Sequence, residues 1–257
     1  MKPLLLLIDD NEDIVEYLAG ELSPDYDVLK AFNGQEALEI MKDESVQLVI
    51  SDVMMPGIDG FELCKIIKTD LTYSHIPILL LTAKNTLEAK IEGLENGADA
   101  YIEKPFSPAH LKAQVSSLLA NRFKVKEYFA HSPLVHIKSI AYTKADETFL
   151  ENLNEAINRN IDNSELDVEH LVKLLHMSRP TLYRKIKAIS NLTPNDFINI
   201  TRLKKSAVLL VEGNYKIADI ARTVGFSSQT TFGKSFIKQF GITPTEYASS
   251  KRTNEKR

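Results

Sequence analysis

Two different hydrophobic rhythms divide the 257-residue chain. In the first half, short apolar runs alternate with segments whose apolar residues recur every three or four positions. The runs "PLLLLIDD", "YDVLKAF", "VQLVISD", "IPILLLTA" and "DAYIEKPF" predict five strands. Being almost continuously apolar, they predict strands buried on both faces. Residues 12–22, "GQEALEIMK", "GFELCKIIK", "TLEAKIEGLENG" and "SPAHLKAQVSSLLA" carry the helical period,. In the first of these, Val15, Leu18, Ala19 and Leu22 form the stripe. Five strands alternating with five helices predict an α/β unit, a parallel sheet covered on both faces.

From Asn121 the signal fades, and "RFKVKEYFAHSPLVHIKSIAY" reads as a linker. Beyond it the pattern is all helical. "ADETFLENLNEAINRNI" predicts one helix, and "DVEHLVKLLHM" with "SRPTLYRKIKAI" predicts a helix, a tight turn and a second helix. "TPNDFINITRLKKSAVLLVEG" predicts a long helix, with Thr193 as N-cap and Pro194 in the first helical position,. "KIADIARTVGF" and "SQTTFGKSFIKQF" then repeat the helix–turn–helix arrangement around Gly225. Leu171 and Val172 correspond to Ile220 and Ala221, and Leu182 and Ile186 to Phe232 and Phe236. Each later pair is four apart, which places both side chains on one core-facing stripe. The expected division is 1–121, a linker over 122–145, an all-α domain over 146–250 with two helix–turn–helix units, and a charged tail over 251–257.

Charge sharpens this division. The overall net charge is −4, yet residues 1–120 hold 9 Lys/Arg against 21 Asp/Glu, and residues 173–257 hold 16 against 5. An acidic half joined to a basic half predicts different partners, with nucleic acid the natural one for the basic end. The apolar run "LLLLI" near the start is too short for a signal-peptide core or a membrane span,. The single cysteine, Cys64, excludes an intrachain disulfide and fits a reducing, cytoplasmic setting,.

The strand ends carry the candidate chemistry. In "LVISDVMMPGIDG" a buried run stops at Asp52, where an unpaired carboxylate is costly,. Asp52 alone does not decide between capping the next turn and doing chemistry. Open parallel sheets gather ligands at the carboxyl ends of their strands. There the sequence places Asp9 and Asp10, Asp52, Thr82 with Ala83, and Lys104 with Pro105. Three close carboxylates repel one another unless a cation joins them, and Mg²⁺ is a hard ion suited to oxygen ligands.

Residues 3–121 resemble the receiver domain of bacterial two-component response regulators, through "IDDNEDI", "SDVMMPGIDGFEL", "LLTA" and "YIEKPF". That resemblance implies a flavodoxin-like sheet of strand order 2-1-3-4-5. It makes Asp52 the phosphoacceptor, and it gives Mg²⁺ to Asp9, Asp10, Asp52 and the backbone carbonyl of Met54. Lys104 would pair with a phosphoryl oxygen across a cis Lys104–Pro105 bond, and Thr82 would hydrogen-bond another. Thr82 and Tyr101 occupy the family's switch positions. The phosphodonor implied is a sensor histidine kinase, and a receiver of this kind catalyses only its own phosphorylation and dephosphorylation.

In a helix–turn–helix unit the second helix enters the major groove. The outward set is Arg179, Tyr183, Arg184 and Lys187 in the first unit, and Ser228, Gln229, Thr230 and Lys234 in the second. Gln229 suits adenine, while Lys234 suits phosphate. Residues 146–248 resemble the AraC/XylS-type DNA-binding domain, through "SRPTLYRKIK", "RLKKSAVLL" and "IADIARTVGFSSQTTFGKSFIKQFGITPTEY". Two positions depart from that pattern. Asn191 stands for the usual Gly, and Gly233 lies inside the second recognition helix.

Together these readings predict a phosphorylation-controlled, sequence-specific transcription regulator that binds double-stranded DNA, makes no membrane contact and dimerises on phosphorylation or on DNA. The domain order also resembles the output end of hybrid sensor kinases. The alternative is a DNA-binding regulator whose receiver serves only to dock a partner.

Overall fold

The computed structural model describes residues 2–83, 96–131 and 137–254. The helix expected over 86–97 therefore falls almost wholly outside the described residues, as does the end of the tail. The chain splits into two compact units, Met1–Val125 with Tyr142–Asp146, and Lys126–Ala141 with Glu147–Arg257.

The first unit contains the strands β1 (Leu4–Ile8), β2 (Asp27–Ala31), β3 (Leu48–Asp52), β4 (Ile78–Thr82) and β5 (Ala100–Glu103). They form one parallel sheet of order β2-β1-β3-β4-β5, the order the resemblance implies. Alternate residues point to opposite faces of a strand, and both faces here are core. Leu6, Ile8, Val49, Ile78 and Leu80 meet α2 (Gly34–Asp43) and α3 (Gly60–Thr69) through Met41, Phe61, Cys64 and Ile67. Leu5, Leu7, Leu48, Ile50, Leu79 and Leu81 meet α1 (Glu12–Leu22) and α4 (Pro108–His131) through Val15, Leu18, Leu111 and Val115. This double burial explains the unbroken apolar runs.

Side-chain caps start the helices. Asn11 accepts from the amides of Asp13 and Ile14, Asn33 from that of Glu36, and Asp59 from that of Glu62. Such caps satisfy amides that the first helical turn leaves without partners.

The span expected as linker differs most from the sequence reading. Helix α4 runs on to His131, a 3₁₀ turn covers Ile137–Ile140, and α5 (Lys144–Arg159) begins within the span. Residues 142–146 pack back onto the first unit at the end of the sheet opposite the strand carboxyl termini. Ser74 Oγ donates to Asp146 Oδ1 at 2.7 Å, and the Tyr142 hydroxyl donates to the Arg122 carbonyl at 3.3 Å. Arg122 in turn pairs with Asp99 at 2.5 Å, and Lys68 reaches the same carboxylate at 2.6 Å. Burial pulls the Lys68 ammonium below its ordinary value, although Asp99 opposes that.

The second unit continues with α6 (Val168–Leu175), α7 (Arg179–Ser190), α8 (Pro194–Glu212), α9 (Ile217–Thr223), α10 (Gln229–Phe240) and α11 (Pro244–Asn254). Thr193 is the N-cap of α8, as the sequence predicts, and the structure adds a full capping box with Asp196,. Leu171, Leu182 and Ile186 are buried in the first helix–turn–helix, and Ile220, Phe232 and Phe236 in the second. An aromatic chain from Phe226 through Phe232, Phe236 and Phe240 to Tyr247 fills the second core. Among the residues with a left-handed backbone, two sit at turns that the sequence singles out. Asn191 ends α7 at φ 61°, and Gly225 makes the second turn at φ 77°,. A Cβ on Gly225 would lie 2.3 Å from the Ile161 carbonyl oxygen.

Candidate phosphoacceptor site and nucleic-acid interface

Each strand of the receiver unit except β2 delivers one part of the acidic site. Asp9 follows β1 and is buried, with Asp10 exposed beside it. Asp52 ends β3 and is only 6% exposed. Thr82 ends β4 and is buried. Lys104 follows β5, its amide donating to the Thr82 carbonyl at 2.8 Å, and the Lys104–Pro105 bond is cis.

The side chains converge. The Lys104 Nζ lies 2.6 Å from Asp52 Oδ1 and 3.0 Å from Asp9 Oδ2. Burial alone would lower the ammonium's pKa, but its hydrogen bonds and charge pairing with Asp52 and Asp9 outweigh this and raise it. Lys104 is therefore held charged. Asp52 Oδ2 accepts from the Met54 amide at 2.9 Å, and Asp9 Oδ1 from the Asn11 amide at 3.0 Å. Ligand oxygens of Asp9, Asp10 and Asp52 come within 4.8 Å of one another. One ammonium against three carboxylates leaves negative charge over, and an all-oxygen donor set fits a hard divalent cation such as Mg²⁺. Met54, whose carbonyl the sequence reading adds to that set, is adjacent and exposed. Tyr101 pairs in register with Leu80 and packs, half-buried, on the α2–α3 face of the sheet.

Sequence reasoning missed Gly60. Its amide donates to the Val53 carbonyl at 3.0 Å, and a Cβ there would lie 2.2 Å from the Asp52 carbonyl oxygen. The α3 N-terminus thus presses on the backbone that carries the candidate nucleophile. The glycine of "PGIDG" stood in plain view, but the contact it permits is tertiary.

In the second unit, Arg179, Lys187, Ser228, Gln229, Thr230 and Lys234 are exposed, as expected of outward positions. Three of them already have work within the fold. Arg179 pairs with Glu169 at 3.0 Å, Lys187 donates to the Asn191 carbonyl at 2.8 Å, and the Ser228 hydroxyl caps α10 at the Thr231 amide. Tyr183 and Arg184 differ from the expectation, both being half-buried. Position 184 borders the core face, because the next residue, Lys185, is fully buried with its Nζ 5.7 Å from the centre of the Phe149 ring. The basic run "YRKIK" therefore points only partly outward.

Residues 5–116 match the family described as the response regulator receiver domain, and residues 171–250 match a helix-turn-helix domain. The chain belongs to the response regulators. Histidine kinase P4 of Formosa agariphila is 39% identical over 246 residues, 96% of this chain and 18% of that protein. The alkaline phosphatase synthesis transcriptional regulatory protein PhoP of Bacillus subtilis is 42% identical over 120 residues, 46% of this chain and 49% of that one. The response regulator thus spans about a fifth of the first relative's length and aligns with half of the second's. Among solved structures, the Francisella response regulator 1452 receiver domain is 33% identical, covering 47% of this chain and 98% of its own, with a TM-score of 0.44. Among the described residues no helix is long and apolar enough to cross a membrane.

Proposed function

We propose that this chain is a phosphorylation-controlled transcription regulator in which Asp52 accepts a phosphoryl group and the helix–turn–helix unit reads DNA. The observation that carries the reading is the convergence of Lys104 on Asp52 and Asp9, at 2.6 and 3.0 Å, beside a third carboxylate. An Asp52 oxygen attacks the phosphorus of a phosphohistidine. The P–O bond forms as the P–N bond breaks, and the imidazole leaves with the electron pair and takes up a proton from solvent. The product is an acyl phosphate on Asp52.

Asp9, Asp10, Asp52 and the Met54 carbonyl would hold Mg²⁺. When bound, the ion neutralises charge on the transferring phosphoryl oxygens. Lys104 exchanges its bond to Asp52 for one to a phosphoryl oxygen, and Thr82 donates its hydroxyl to another. Tyr101 then follows Thr82, shifting the receiver between two populations that differ in dimerisation or DNA affinity. In the second unit Arg179, Gln229 and Thr230 would face base edges, with Tyr183, Arg184, Lys187, Ser228 and Lys234 around them toward the backbone. The match of nearly the whole chain to part of a protein named histidine kinase supports a histidine phosphodonor, in the same polypeptide or in a partner.

Intact mass after incubation with Mg²⁺ and a small phosphodonor, or with a histidine kinase domain, tests the reading. A single phosphoryl adduct on the wild type and none on Asp52→Asn is expected, together with DNA affinity that differs between the two forms at fixed salt. No adduct from either donor would make the receiver a docking module.

A further inference from the structure

We propose that Gly233 determines sequence specificity, its missing side chain leaving on the outward face of α10 a recess that receives the C5-methyl group of a thymine. The inference rests on the reading that α10 enters the major groove.

Nothing among the described residues accounts for this glycine. It is the fifth residue of a regular helix, where glycine is less favourable than alanine,. Its φ is not positive, and a Cβ there would meet nothing within 4 Å. Gly34, Gly60 and Gly225, by contrast, each have a neighbour closer than 3 Å to such a Cβ. Gly20, near the end of α1, also opens onto empty space and supplies a control.

The position of Gly233 is what singles it out. Residues three and four apart share a helical face, so Gly233 lies between Gln229 and Thr230 on one side and Ile237 on the other. Gly233 is half-buried, at the border between the exposed Gln229, Thr230 and Lys234 and the core face that carries the fully buried Phe232 and Phe236. Ile237, 44% exposed, is an aliphatic residue on that surface.

The chemistry of the recess narrows its occupant. A phosphate would need free donors, but amides in a helix interior are spent on the carbonyls four residues back. What remains is shape, an open space at position 233 with the exposed Thr230 and Ile237 as its neighbours three and four residues away,. Thymine alone among the bases places a methyl group in the major groove.

The test uses the full chain. A duplex is selected from a random pool with the wild type, and each thymine in turn is replaced by deoxyuridine. Affinities are measured at one salt concentration for the wild type, Gly233→Ala and Gly20→Ala. One thymine is expected whose replacement weakens wild-type binding about four-fold, the worth of one methyl removed from water. Gly233→Ala should bind the thymine duplex more weakly than the wild type and be indifferent to that replacement. It should also melt about 4 °C higher in the second unit's transition. Gly20→Ala should leave DNA binding unchanged. Wild-type-like affinity and deoxyuridine response in Gly233→Ala would overturn the proposal while leaving DNA recognition standing. Failure of the wild type to select any sequence would overturn both.

Discussion

Arg122 and Tyr142 stand twenty residues apart in the chain, and the guanidinium carbon of one lies 3.4 Å above the ring centre of the other. The pair closes the end of the receiver unit remote from Asp52. It joins α4 to the segment 142–146, and through Asp99 it reaches Lys68 on α3. A cation over a desolvated ring contributes about 1–2 kcal/mol. The carboxylate between two buried cations matters more, because both lose the counter-charge they bond directly,.

Asp99→Ala is accordingly expected to destabilise the first unit by about 3 kcal/mol, and Tyr142→Ala by about 1 kcal/mol. Urea unfolding followed by hydrogen exchange, which separates the two units, measures both. Equal and small effects would mean that the network is solvated enough to be dispensable.

A second prediction concerns Gly60. Alanine there must push the Asp52 carbonyl away, at a cost of about 2 kcal/mol for an overpacked backbone contact,. The displaced carboxylate loses its register with Lys104, and the rate of phosphoryl adduct formation should fall on the order of 100-fold. Circular dichroism must show a folded chain for the result to count. A folded Gly60→Ala that is phosphorylated at the wild-type rate would free Asp52 from this constraint.

Cys64 gives a third. It is fully buried on α3, its Sγ donates to the Asn96 carbonyl at 3.3 Å, and burial pushes the thiol up to about 12. Since the thiolate is the nucleophile, alkylation by iodoacetamide at pH 8 should be on the order of 1,000-fold slower in the native chain than in urea. Comparable rates would show that the α2–α3 face of the sheet opens readily.

Much of this was legible in the sequence because the signals were local or periodic. Unbroken apolar runs announced strands covered on both faces, and the residues at their ends gave Asp9, Asp52, Thr82 and Lys104 before any geometry was known. Thr193 and Pro194 announced the start of α8. What stayed hidden depends on contacts distant in sequence. Arg122 and Tyr142 belong to no periodic stripe, so the span around them reads as linker. Gly60 matters for an atom of Asp52, and Lys185 is buried inside a run of basic residues that looks exposed throughout. Arg184 is half-buried beside it, since neighbouring charges conceal where a helix turns toward its core.

The last prediction concerns pH. Lys204, half-buried on α8, has its ammonium pushed down to about 8 by burial. An unfolded lysine titrates near about 10.4. Between those values the unfolded chain keeps a proton that the folded chain has released, so stability rises with pH across that window. Below pH 8 the cost of burying the charge is present in full, and above about 10.4 it has vanished. Lys204→Met removes the group from both states. The variant should therefore be more stable than the wild type at pH 7, and the difference should shrink as the pH is raised to 9.5. Comparing the two proteins cancels the other lysines and tyrosines that titrate in the same range. A difference that does not change between pH 7 and 9.5 would place the Lys204 ammonium in water, with an ordinary pKa.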